Sequence, residues 1–160
     1  MTSHRDTGAS EDAWLPVAHV TFAITGDGVS PDFWTGYFGI SPDIAVAKGL
    51  PFVTPSGRTS GTPGRTGVWG ITSKLAVRDD SLDSHLLYLL GCLRFPRRDL
   101  VTALRDAKAS MRFLCYRFNR PGTRGAKIAP EIIATITSFG ATVEIDEYPQ
   151  ENLGQSTDDL

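Results

Sequence analysis

The pattern of apolar and polar positions becomes regular at residue 18. In "AHVTFAIT", Ala18, Val20, Phe22 and Ile24 fall on one side and His19, Thr21 and Thr25 on the other, the period of a half-buried strand. "GDG" closes it as a turn. In "SPDFWTGYFG", Phe33, Trp34, Tyr37 and Phe38 recur at helical spacing. Ser30 suits the cap, Pro31 the first helical position, Asp32 the positive end and Gly39 the stop. "DIAVAKG" reads as a short strand and "GVWGITSKL" as another, with Trp69 buried beside Ile71. In "SLDSHLLYLLGCLRF", Leu82, Leu86, Leu89, Leu90 and Leu93 mark one apolar stripe behind a capping Ser81. Phe95-Pro96 breaks that helix, and "RRDLVTALRDA" predicts a second, short one. "SMRFLCYRFN" is apolar on both faces, like a central strand. "APEIIATITSFG" predicts a helix stopped at Gly140. "ATVEIDEY" predicts a last strand with Val143 and Ile145 inward and Thr142, Glu144 and Asp146 outward.

The resulting order is β-α-β-β-α-α-β-α-β. One adjacent pair of strands is joined without a helix, so a purely parallel sheet is excluded. The expected class is α+β: a mixed, mostly antiparallel sheet with helices on one face, closest to a ferredoxin-like sandwich.

The 160 residues suit one domain with tails. A disordered tail is expected at 1–15, one α+β domain at 16–149 and an acidic tail at 150–160. A hydrophobic content of 41% against 21% charged is enough for a packed core. No apolar run nears the roughly 20 residues that span a bilayer. The start "MTSHRDTGASEDAW" lacks the apolar region of a secretory signal. Cys92 and Cys115 make no disulfide scaffold and show no metal spacing, so two buried thiols and a cytoplasmic location away from membranes are expected. Net charge is −2. Its distribution says more: Arg94 to Lys127 is strongly basic against only Asp99 and Asp106, whereas Glu144 to the end carries acids and no base.

The glycine-rich stretch "VTPSGRTSGTPGRTGVWG" invites a phosphate-loop reading, which fails. Aligned on Gly64-Arg65-Thr66, Thr59 stands where the first glycine belongs and Arg65 where the lysine belongs. A strand pattern follows, not the helix whose N-terminal amides hold phosphate. The loop reads as a mobile, hairpin-like connection, and no cofactor is expected. His4, His19 and His85 form no metal-like pair with one another or with cysteine, so no metal site is expected. No Gly-x-Ser-x-Gly elbow is present. Asp79, Asp80 and Asp83 precede or open a helix, where acids favour the dipole. No catalytic residue is assigned. "MRFLCYRF" interleaves arginines and aromatics as RNA-binding sheets do. It lacks the glycines of that signature, and Phe113 and Tyr116 differ in parity.

The order of landmarks resembles a bacterial domain-of-unknown-function family, DUF4279. The matching features are "VTFAITG", "VSPDFWTGYFGISPD", Lys48-Gly49, Gly67-Val68-Trp69, "LDSHLLYLLGCL" and "IAPEIIATITSFGATVEIDEY". They cover about residues 17 to 149. Phe38-Gly39 replaces the usual Leu-Gly, the 53–66 loop is long, and "PRRDLVTALRDA" is arginine-rich. The resemblance implies small, single-domain α+β proteins without agreed catalytic residues. By analogy of size and lack of a catalytic signature, they are similar to immunity proteins of toxin systems.

The first expectation is therefore a non-enzymatic protein-binding module, an immunity or accessory protein that occupies a protein partner. Its expected contacts are Arg58 and Arg65 in the loop, with Arg97, Arg98, Arg105 and Arg124. One alternative is a small-molecule-binding protein or enzyme in which His85, Tyr116 and Asp146 converge on a pocket. The other is an RNA-binding domain. Oligomeric state has no sequence signal.

Overall fold

A computed structural model describes residues 17–54, 56–119 and 126–149. The tails at 1–15 and 150–160 lie outside the described residues. The elements are β1 (Ala18–Gly26), α1 (Pro31–Phe38), β2 (Ile44–Val46), β3 (Gly67–Thr72), α2 (Leu82–Cys92), α3 (Leu100–Asp106), β4 (Ser110–Asn119), α4 (Pro130–Ser138) and β5 (Thr142–Pro149). They form one five-stranded open sheet in the order β2-β3-β1-β4-β5. Every pairing is antiparallel except β4 with β5. The α+β expectation holds, and β4-β1-β3-β2 is the ferredoxin-like order. The added β5 runs parallel to β4 because α4 makes the crossover.

The alternation in β1 decides the layers. Ala18, Val20, Phe22 and Ile24 are buried against the helices. Trp69 and Ile71 of β3 and Met111, Phe113 and Cys115 of β4 share that face. Phe22 is central: its ring centroid lies 5.0 Å from Phe113, 6.0 Å from Phe38 and 6.4 Å from Trp69. The other face carries His19, Thr21, Arg112, Leu114 and Tyr116, which are cross-strand neighbours.

The helix ends depart from expectation in one respect. Neither Ser30 nor Ser81 makes a side-chain cap. Asp79 instead ties the preceding turn to the first turn of α2: one carboxylate oxygen accepts the Ser81 N–H (3.1 Å) and the other the Ser84 hydroxyl (2.5 Å). These bonds, first that from Ser84, hold the Asp79 carboxyl below the usual range. Asp83 accepts the Ala129 N–H at 3.0 Å and ties α2 to the start of α4. Gly39 and Gly140 end their helices with φ of 71° and 83°, a region open to glycine at no steric cost. Strand β3 also stops short of the expected Leu75. Ser73 instead begins a turn in which its carbonyl accepts the Ala76 and Val77 amides.

Candidate functional site

Helix α1 buries Trp34 and Phe38 while leaving Phe33 52% exposed. Tyr37, one turn beyond Phe33, stacks with it at 6.2 Å. Asp99, Thr102, Ala103 and Asp106 recur at i, i+3, i+4 and i+7, so they form one stripe along α3. Leu100 and Leu104 point that helix into the core. Between the α1 aromatics and the α3 stripe lies a groove of about 610 Å³, within the range of ligand sites. Its floor is Gly28. A Cβ there would stand 2.8 Å from the Ala107 carbonyl oxygen, so only glycine lets the β1–α1 turn approach the end of α3.

The groove has aromatic walls and acidic rims. Tyr37 donates its hydroxyl to Asp99 at 2.7 Å. Burial, then this bond, pushes the Tyr37 hydroxyl up to about 12, so it stays a donor. Asp106 has no hydrogen-bond or ionic partner among the described residues. Behind the wall, Arg97 lies over the Tyr37 and Phe38 rings at 4.8 and 5.1 Å. Its Nε donates to the Leu93 carbonyl (2.8 Å) and its Nη1 to the Tyr37 carbonyl (2.9 Å). Cavities of about 390 and 470 Å³ continue past Gly28, bringing in Asp27 and Asp32. Asp27 is already bonded to Lys48 at 2.9 Å and Thr66 at 3.2 Å, Lys48 first in holding its carboxyl below the usual range.

The structure does not bring His85, Tyr116 and Asp146 together. His85 is fully buried on α2, on the helical side of the sheet. Its Nε2–H donates to the Asp79 carbonyl (2.7 Å), and its Nδ1 pairs with the Ser73 hydroxyl (2.6 Å). Ser73 also accepts the Val20 N–H at 2.9 Å. A serine–histidine pair sealed from solvent on both members pins β1, β3 and α2 together and presents nothing to a substrate. Tyr116 stands on the opposite face, stacked on His19 at 4.7 Å. Asp146 is exposed opposite it on β5. Burial, with lesser effects of Lys74 and His85, lowers the His19 pKa to about 4.

The six arginines separate as well. Arg97 is the brace described above, not a free contact. Arg98 and Arg105 are exposed away from the groove stripe, and Arg58 and Arg65 are exposed on the β2–β3 loop. Arg124 lies outside the described residues. The loop is closed by its own backbone: Thr54 N–H to Arg58 C=O (2.7 Å), Ser60 N–H to Phe52 C=O (2.7 Å) and Gly64 N–H to Leu50 C=O (2.9 Å). Amides that would cradle a phosphate are thus donated within the loop. The thiols also differ. Cys115 is buried and burial pushes it up to about 12, whereas Cys92 is half-buried and lines a smaller cavity with Tyr88. Among the described residues no cluster of three or more His, Cys, Asp or Glu is placed to hold a metal ion. None of their helices is long and apolar enough to cross a membrane.

Sequence reasoning missed the groove. Asp99 and Asp106 stood out only as two acids in a basic segment. Their i, i+7 spacing with Ala103 between them was the available signal. What they face across the gap is set by the packing of α3 on α1.

Residues 16–150 match the family described as a domain of unknown function, DUF4279, and the chain belongs to that family. No curated protein and no solved structure matches the chain.

Proposed function

We propose that this protein is a non-enzymatic protein-binding module that acts by occupying a partner, in an immunity or accessory role, and that the α1–α3 groove is its contact surface. One observation carries the reading: Phe33 is half exposed at the mouth of an aromatic groove whose Asp106 has no partner within the described residues. Aromatic side chains are enriched among the residues that anchor protein contacts. The sealed Ser73–His85 pair supports a binding role over a hydrolytic one. The open sheet face suits nucleic acid less well, because Glu144 and Asp146 stand beside Arg112 and Tyr116 and repel phosphate.

The test is affinity purification from the native lysate with wild type, Phe33→Ala, and an Arg58→Ala/Arg65→Ala double variant. A stoichiometric protein lost with Phe33→Ala but kept by the arginine variant supports the groove. A partner kept by Phe33→Ala moves the contact elsewhere. The absence of any protein partner overturns the module reading.

A further inference from the structure

We propose that the groove receives a basic segment of the partner in an extended polyproline-type conformation, with two cationic side chains spaced three residues apart. The inference rests on the groove being the contact surface. Charge complementarity selects the occupant. Asp106 is unpaired among the described residues, and Asp99 spends one carboxylate oxygen on Tyr37. Phe33, 52% exposed, supplies ring surface for a cation, whereas Tyr37 already carries Arg97 over its ring. Arg97 covers the Tyr37 ring but leaves the two carboxylates unpaired, because its hydrogen bonds go to the Leu93 and Tyr37 carbonyls.

The spacing follows from helix geometry. Asp99 and Asp106 are seven residues apart at the two ends of α3, and a rise of 1.5 Å per residue puts their backbones about 10 Å apart. A polyproline-type segment repeats every three residues and rises about 9 Å in doing so. Its side chains at i and i+3 therefore point the same way and match the two carboxylates. Aromatic-lined grooves are established receptors for that conformation, which carries a low ordering entropy. A free diamine or a lone arginine satisfies the charges but not the apolar wall along its length.

The experiment is calorimetric titration of the full chain with Ac-Pro-Arg-Pro-Pro-Arg-Pro-NH2. Controls are the same peptide with citrulline for arginine, the isomer Ac-Pro-Arg-Arg-Pro-Pro-Pro-NH2, argininamide and spermidine. The expected result is saturable binding of the first peptide, at least tenfold tighter than each control. Asp106→Asn and Asp99→Asn should each weaken it about twofold to fivefold, as exposed charge pairs do, with unchanged melting temperatures. Asparagine still accepts the Tyr37 hydroxyl, so the Asp99 variant keeps the wall. Equal binding of the citrulline peptide, or indifference to both substitutions, overturns the cation claim. Equal binding of spermidine or argininamide overturns the peptide claim, and equal binding of the isomer overturns the spacing. No binding of the first peptide, with a native partner still lost in Phe33→Ala, overturns this inference and leaves the groove reading standing. Peptide binding with a native partner kept by Phe33→Ala overturns the groove reading instead.

Discussion

Replacing Arg97 by alanine separates a brace from a contact residue. The guanidinium makes two hydrogen bonds to carbonyls, at 2.8 and 2.9 Å, and lies over two rings. Hydrogen bonds from a charged donor contribute about 1.5 kcal/mol or more each, and a partly exposed cation–π contact about 0.5–1 kcal/mol. Arg97 is half-buried, so water re-solvates part of what is lost. The net cost expected is about 2–3 kcal/mol, or a fall in Tm of about 6–10 °C for a domain of this size. Arg98→Ala, its exposed neighbour, should stay within about 0.5 kcal/mol of wild type. Arg97→Lys should fall between them, because a single ammonium head does not reach both carbonyls while lying flat on a ring. Thermal unfolding followed by circular dichroism reads all three. An Arg97→Ala variant melting within 2 °C of wild type would refute the brace and return Arg97 to the contact surface.

Ser73→Ala strands the Val20 N–H and His85 Nδ1, both buried. It should cost about 2–4 kcal/mol by chemical denaturation, and a cost under 1 kcal/mol would contradict the pin. His19 gives a pH dependence with a definite sign. Its pKa is about 4 folded against 6.5 unfolded. Stability is full above pH 6.5, falls as pH drops from 6.5 to 4 because only the unfolded chain takes up the proton, and levels below 4. The ring is only partly buried, so solvent screening leaves roughly 1 kcal/mol of the full linkage. His19→Gln should remove that slope from the denaturation midpoint against pH. Gly28→Ala sets a methyl against the Ala107 carbonyl. It should lower stability by about 1–3 kcal/mol and weaken peptide binding in the groove, whereas Gly36→Ala, which meets nothing, should do neither.

The legibility of the site was uneven for a physical reason. Asp79 was readable as a helix-start acid, since that interaction lies within six residues of chain. His85 was readable as a polar residue on an apolar helix, but its partners come from the β3 end and the turn before α2, so a pocket role was the natural expectation. Arg97 looked like its neighbour Arg98. Only the packing of α1 across the α2–α3 junction tells them apart. Tyr116 and Asp146 do share the open face, as their β4–β5 register requires, whereas His85 is separated from them by the sheet.

Alternation in β1, the aromatic spacing of α1 and the leucine stripe of α2 determined the element order, the α+β class and the identity of most core residues. These are local periodicities, and each follows from burying one face of a strand or helix. The order β2-β3-β1-β4-β5, the parallel β5 and the α1–α3 groove were decided by tertiary structure. Strand pairing and helix docking depend on which apolar faces meet at long range, and Asp99, Asp106, Phe33 and Tyr37 become one surface only once they do.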